Sequence, residues 1–242
     1  MSELLIELFS EEIPPNLQIS ARNQFKKLFT ENLYTINLKP KVFEIYSTPT
    51  RLVSIITGLP NKIKILPAEV KGPKLGVPEN VVKNFAKSKG SDVADLFEKK
   101  LEKGTFYFAK IKGKEINTEE ELIKCIKKSL KGISWKKSMK WADHDMGWGR
   151  PLKSILSIFN NKLLKFKHEH LQSVNYTLLE QDSEITQKRV NNFNDYKNFL
   201  RKNSIIINHN EREKIISEKI ISICKNKSFE ESIDQSLLTE VS

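Results

Sequence analysis

The chain has 242 residues, with 41 Lys or Arg against 30 Asp or Glu, giving a formal net charge of +11. That length buries a core without disulfide staples, and 38% hydrophobic with 9% aromatic content excludes disorder throughout. No apolar run approaches the roughly 18–20 residues of a membrane helix, and Met1-Ser2-Glu3-Leu4-Leu5-Ile6-Glu7 lacks the basic start of a secretory signal. Cys125 and Cys224 are too few and too far apart for a disulfide framework or a zinc cluster, so the composition describes a soluble protein of the reducing cytoplasm. The positive charge attracts polyanions. Lysine outnumbers arginine 35 to 6, however, and Asn and Ile are abundant, as AT-rich codons alone would produce. Composition permits a nucleic-acid partner without establishing one.

Alternation of Leu4, Ile6 and Leu8 with Glu3, Leu5 and Glu7 predicts a half-buried strand. Pro14-Pro15 ends it, and Asn16 is placed to cap a helix with Ala21, Phe25, Leu28 and Phe29 on one face. Strands are expected over Val42–Tyr46 and Leu52–Thr57, on either side of Ser47-Thr48-Pro49-Thr50. Pro60 to Pro78, with Lys71-Gly72-Pro73 and Gly76-Val77-Pro78, reads as a long loop or hinge. Pro78 then starts a short helix through Phe85 that Gly90 closes.

Thr105–Ile111 is a further strand, with Phe106 and Phe108 on one face and Tyr107 and Ala109 on the other. Thr118-Glu119-Glu120-Glu121 predicts a capping box before a helix that buries Leu122, Ile126 and Leu130. Strands resume at Leu152–Phe159 and Lys162–Lys167 around an Asn160-Asn161 hairpin turn. Helices near Asn192–Asn203 and Glu211–Lys225 follow, the second with a stripe of Ile216, Ile220 and Ile223. The class is α+β, with mixed or antiparallel sheets and packed helices, as one body or as two lobes divided near the Pro60–Pro78 hinge. Three segments are expected: a strand–helix–strand unit over 1–66, a central α+β unit over 67–180, and a truncated helical segment over 181–242.

Few residues suggest bond-making chemistry. Asp143-His144-Asp145 are neighbours in sequence, which rarely converge on one centre, and a solvated loop is the favoured reading. His168-Glu169-His170 would set two imidazoles on one side of a strand, without a third ligand. Neither cysteine has a nearby histidine, and no glycine-rich phosphate loop is present. Trp135-Lys136-Lys137-Ser138-Met139-Lys140-Trp141 with Trp148-Gly149-Arg150 gathers all three tryptophans among cations. Unstacked bases and phosphates need those groups together. A core segment with lysine heads reaching water has the same composition, and is favoured two to one.

Leu4-Leu5-Ile6-Glu7, followed by Ser10-Glu11-Glu12-Ile13-Pro14, begins a set of short segments that resembles the beta subunit of bacterial tetrameric glycyl-tRNA synthetase. These two resemble that family's opening strand and its Thr-Glu-Glu-Ile-Pro. Thr48-Pro49-Thr50-Arg51-Leu52, Lys71-Gly72-Pro73 and Asn84-Phe85-Ala86-Lys87 follow in the family's order. So do Ser138-Met139-Lys140-Trp141 with Arg150-Pro151, and Leu237-Leu238-Thr239-Glu240-Val241. Two departures stand out. Val174–Glu180 lacks the arginines and histidine of the family's Thr-Arg-Gly-His-Arg-Phe, and Thr50 and Lys140 stand where the family has arginine.

The resemblance covers nearly the whole chain but only the N-terminal portion of a longer subunit, so a fragment, a truncated frame or a split subunit is expected. It implies a non-catalytic part of glycine–tRNA ligase that supplies tRNA binding and subunit assembly. The alpha subunit would use ATP with Mg, and this chain would hold neither a catalytic residue nor a cofactor or metal. Partners implied are the alpha subunit, tRNA(Gly) and the remainder of the beta subunit, in the cytoplasm and away from membranes. Arg51, Lys71, Lys140 and Arg150 are the candidate tRNA or interface contacts; salt-bridged structural cations are the equal alternative. A pure scaffold or a decayed fragment is the competing function, and one continuous basic face, as against even scatter of lysines, separates them.

Overall fold

The computed structural model of the chain describes residues 2–65, 67–111, 113–141, 143, 145–181 and 184–242. Its elements begin with β1 (Glu3–Ser10), α1 (Pro15–Thr35), β2 (Val42–Thr48), β3 (Arg51–Thr57), β4 (Lys62–Ile65), β5 (Ala68–Lys74) and α2 (Glu79–Ser88). Next come β6 (Leu96–Leu101), β7 (Gly104–Ile111), β8 (Lys114–Asn117), α3 (Thr118–Gly132), β9 (Leu152–Phe159) and β10 (Lys162–Leu163). The rest are β11 (Lys167–His168), β12 (Leu171–Val174), β13 (Tyr176–Gln181), β14 (Glu184–Arg189), α4 (Phe193–Lys202), α5 (His209–Lys227) and α6 (Gln235–Val241). Contacts group these into two units, Met1–Asn61 with Glu119–Ser242, and Lys62–Thr118. The α+β class holds in both.

The first unit is built on a sheet in the order β11-β12-β9-β1-β3-β2, with β10 paired to β9. β1 lies between β9 and β3, antiparallel to each. The sequence predicted one solvated face for it, but Leu4 to Ser10 are all at most 1% exposed. Helices on both sides explain the difference. Leu4, Ile56 and Phe43 stand in register, and Phe43 meets Phe29 of α1 edge-on at 5.8 Å. Against the opposite face, Leu5, Val53, Ile55, Leu156 and Ile158 pack with Tyr196 and Leu200 of α4. Each such fully buried aliphatic or aromatic side chain contributes about 1.5–3 kcal/mol.

Several local expectations shift for physical reasons. α1 starts at Pro15 behind Pro14, so Asn16 is already helical and caps nothing; proline's fixed φ suits the first helical position. Thr118 begins α3 with its hydroxyl buried and without a hydrogen-bond partner, while Glu121 accepts from Lys124 at 2.6 Å, so the expected capping box is not formed. Leu122, Ile126 and Leu130 are buried as their spacing predicts, and Asn32 of α1 donates to Ser129 of α3 at 2.9 Å. Asn160 and Asn161 take φ of 50° and 63° and form the expected tight turn. The strand after it is only Lys162–Leu163. Asn192 caps α4 by accepting from the Asp195 amide at 2.9 Å. The isoleucine stripe of α5 is not a core face, since that helix has no fully buried residue and Ile223 is 54% exposed.

The second unit contradicts the predicted Pro60–Pro78 loop, which contains β4 and β5. β4 pairs β8, and β5, β7 and β6 form a three-stranded antiparallel sheet in that order. Gly72-Pro73 is a register irregularity between Lys71 and Lys74 on β5, an edge strand, which is where a sheet tolerates proline. The Phe85 ring of α2 lies so close to Gly72 that an added Cβ would fall 2.5 Å from it. Val82 and Ala86 of α2 and Ala109 of β7 are buried.

Candidate nucleic-acid interface

Of the four candidate cations, Arg51 is the most constrained. It opens β3 directly opposite Phe9 of β1, and its guanidinium lies 4.7 Å from the Phe9 ring centre. Its Nε is 3.2 Å from the Glu7 carboxylate, with the two side chains 4% and 0% exposed. Nη2 donates to the Leu178 carbonyl and Nη1 to Thr50 Oγ1 at 2.9 Å. Glu7 also accepts from Thr177 Oγ1 at 2.8 and 2.9 Å and from the Tyr196 hydroxyl. Burial pushes the Glu7 carboxyl above the ordinary carboxylate range, opposed by the Arg51 charge and by the hydrogen bonds from Tyr196 and Thr177. Burial, with the nearby Glu7 charge, holds the Tyr196 phenol well above its usual value. This network ties β1, β3, β13 and α4 together.

Arg51 also floors a cleft of about 640 Å³. Its charged walls cancel, Arg51, Arg150 and Lys153 standing against Glu11, Glu12 and Glu180. Lys153 is already bound to Glu180 at 2.8 Å. Arg150 is half-buried, with Nη1 3.2 Å from the Gly149 carbonyl and 3.5 Å from the Met139 sulfur. Lys140, one residue on, pairs with Asp145 at 3.1 Å. The structure therefore brings Arg51 and Arg150 to one cleft, with Lys140 in the segment beside Arg150.

Of the three tryptophans, Trp148 turns fully inward. Met139 and Trp148 pair their backbones through hydrogen bonds of 2.7 and 3.1 Å. Trp148 is 1% exposed and Trp135 packs on it, ring centres 5.0 Å apart. A Cβ at Gly149 would lie 2.4 Å from the Trp135 ring, so glycine is required for that approach. Trp141 meets His170 edge-on at 5.7 Å. Lys136 and Lys137 stay exposed, so this segment has one core indole, Trp148, two half-buried ones, Trp135 and Trp141, and solvated ammonium groups.

The paired-imidazole expectation fails on geometry. His168 ends β11 and is 4% exposed, Glu169 turns the chain at φ 50°, and His170 has left the strand. Burial lowers the His168 pKa, outweighing the pull of Glu169. His144 lies outside the described residues. Among the described residues no group of three His, Cys, Asp or Glu is placed to hold a metal. Burial pushes the Cys125 thiol up to about 11, which leaves it a poor nucleophile.

Lys71 sits in the second unit, in a setting the sequence only half revealed. Residues 62–118 hold 13 lysines against seven acidic residues, so this stretch carries six of the eleven net positive charges. Even scatter would have given it a quarter. On β7, Phe108 stands opposite Lys71 of β5 and Phe97 of β6, and Phe106 stands opposite Lys99. Directly paired residues share a sheet face and successive residues alternate, so Lys110 joins this set while Tyr107 and Ala109 point the other way. The Lys71 ammonium lies 3.6 Å from the Phe106 ring centre, Lys110 5.2 Å from Phe97 and Lys99 5.6 Å from Phe108. Glu69 shares the face and accepts from Lys99 at 3.1 Å. An exposed lysine over a ring is worth about 0.5–1 kcal/mol. Sequence alternation exposed Phe106 and Phe108; it missed β6, whose Phe97 and Lys99 reach the face only through strand pairing.

Comparison with known proteins follows the same line. Residues 4–242 match the family described as glycyl-tRNA synthetase beta subunit. The chain is similar to the glycine–tRNA ligase beta subunit of Rickettsia canadensis, 35% identical over 246 residues that span all of this chain and 36% of that protein. Those of Rickettsia akari and Rickettsia prowazekii are each 32% identical over 241 residues, again all of this chain and 36% of theirs. The chain thus spans about a third of the length of these curated relatives. No helix among the described residues is long and apolar enough to cross a membrane.

Proposed function

Because this chain belongs to the glycyl-tRNA synthetase beta-subunit family, we propose that it supplies tRNA grip and subunit docking to glycine–tRNA ligase. The reaction served is ATP + glycine + tRNA(Gly) giving glycyl-tRNA, AMP and diphosphate. ATP, with its magnesium, and glycine belong to the alpha subunit, and bond-making is assigned to no residue of this chain. The work here is electrostatic and steric, in a cytoplasmic assembly with the alpha subunit and the remainder of the beta subunit.

The observation that carries the reading is the concentration of charge in residues 62–118, with Lys71, Lys99 and Lys110 on one sheet face. Codon bias enriches lysine everywhere; it does not select one unit or one face. Lys71 is accordingly assigned to tRNA phosphate. The charge-balanced cleft suits a protein surface better than a polyanion, so Arg51, Arg150 and neighbouring Lys140 are assigned to the docking side.

Binding of tRNA by the chain, and by its complex with the alpha subunit, tests this between 50 and 200 mM salt by filter retention. Each phosphate neutralised contributes about −0.7 to −0.9 to the slope of log affinity against log salt. A slope near −3 or steeper is expected. Absence of tRNA affinity at the lowest salt for either assembly overturns the reading.

A further inference from the structure

We infer that the β5-β7-β6 face is a stacking platform for unpaired nucleotides of single-stranded RNA, with Phe97 and Phe106 receiving bases and Lys71, Lys99 and Lys110 receiving the flanking phosphates. The inference rests on the RNA reading above and narrows it to one sheet face and one state of the nucleic acid.

Three features carry it. The first is the placement of three phenylalanine rings on one face in register, Phe97 beside Phe108 and Phe106 two residues along the same strand. Phe97 and Phe106 are therefore diagonal neighbours across the β6–β7 pair, about 7–8 Å apart, which is the order of the step between bases of an extended single strand. Sheet-borne aromatics at such a step hold two or three unpaired bases in other RNA-binding folds. The second is exposure: Phe97 and Phe106 are half-buried, whereas Phe108 is 7% exposed and serves as the floor. The third is what covers the rings. Exposed lysine heads lie over the two receiving rings, Lys71 over Phe106 and Lys110 over Phe97, with Lys99 over Phe108. A lysine stem is flexible, so its head can leave the ring for a phosphate while the base takes the vacated π-face. That exchange replaces a weak cation–ring contact by a base stack and an ion pair.

Charge complementarity selects the occupant. Among the described residues, strand pairing sets one carboxylate, Glu69, on the face of Lys71, Lys99 and Lys110, and it is paired with Lys99. A base-paired duplex would use the lysines and leave the rings idle, because its bases are already stacked. Stacking on a phenylalanine ring reads a base's face rather than its edge, so the rings themselves are indifferent to sequence.

The test uses the 242-residue chain with two probes, a fluorescent U12 oligoribonucleotide and an intact tRNA. Wild-type protein is expected to bind U12 at low salt. Phe106→Leu keeps the apolar volume and removes the π-face, and should weaken U12 binding about tenfold with an unchanged melting temperature. Crosslinking of wild-type protein to 5-iodouridine-substituted U12 reports position without any substitution, and the crosslinked peptide should contain Phe97 or Phe106. Tight U12 binding that Phe106→Leu leaves intact, with crosslinks elsewhere, overturns the platform. If tRNA binds and U12 does not, the platform fails and the proposed function stands. If U12 binds and tRNA does not, the platform stands and the tRNA role fails. Binding of neither probe overturns both.

Discussion

Two stretches of this chain combine aromatic rings with lysines, and they are built in opposite senses. In residues 135–150 the indoles of Trp135 and Trp148 pack on one another with Trp148 fully enclosed, and the lysines hang outward from the backbone. On the β5-β7-β6 sheet Phe97 and Phe106 stay half-buried above the floor made by Phe108, and lysine heads lie over the rings. In composition the two are alike. The difference is which way the ring faces, set by a glycine-lined backbone pairing in one case and by strand register in the other. A ring enclosed by protein contributes stability. A half-buried ring with a mobile cation over it is available to a ligand.

The sharpest way to break this comparison is Trp148→Ala. Removing an enclosed indole should cost about 3–5 kcal/mol in urea unfolding and leave the salt slope of RNA binding by the folded protein unchanged. A surface-like cost below about 0.5 kcal/mol would put Trp148 in the same class as the sheet phenylalanines.

Arg51 sharpens the same contrast among the cations. Arg51→Met strands the Glu7 carboxylate in the core, with an expected loss of about 3–5 kcal/mol. Adding Glu7→Leu should recover most of it, since an apolar pair of similar volume often matches a buried ion pair. Failure of the double variant to recover would mean that Thr177 and Tyr196, left without their acceptor, dominate the cost.

Lys71→Gln should do the reverse of Arg51→Met. Its stability effect stays within about 0.5 kcal/mol, while the slope of log affinity against log salt becomes shallower by about 0.7–0.9. Unaltered salt dependence would remove Lys71 from the RNA contact.

The smallest expected effect is on pH dependence. Burial lowers the pKa of both His168 and His209, so the folded chain binds fewer protons than the unfolded chain once pH drops below 6.5. Stability from these groups is fully present above the unfolded value and is lost as pH falls through the folded one. The stability difference in urea unfolding between wild type and His168→Gln should therefore shift against wild type as pH falls from 7.5 to 5.5. Glu7, whose raised pKa acts in the opposite sense, is common to both and cancels in that comparison.

Sequence pattern was most informative where a local rule decides the outcome. Asn160-Asn161 specified its turn because few residues tolerate two consecutive positive φ angles. Alternation in Thr105–Ile111 separated Phe106 and Phe108 from Tyr107 and Ala109, as the pairing with β5 and β6 bears out. It failed where partners distant in sequence decide. Glu7 reads as a solvated residue until Thr177 and Tyr196, 170 and 189 positions away, supply its hydrogen bonds. Gly72-Pro73 reads as a loop because proline rarely sits in a sheet, yet an edge strand accepts it at an irregularity. The family was legible from six ordered segments, and residues 4–242 match it. The cation–aromatic face was half legible, since Lys71 and Phe106 were each visible but nothing local joins them.

The most direct measurement compares two triple variants in tRNA binding across salt. Replacing Lys71, Lys99 and Lys110 with Gln should make the log–log slope shallower by about 2–3, and replacing Lys136, Lys137 and Lys140 by less than about 1. Equal slopes for the two variants, or a larger change from the tryptophan segment, would contradict the assignment of RNA contact to the sheet face.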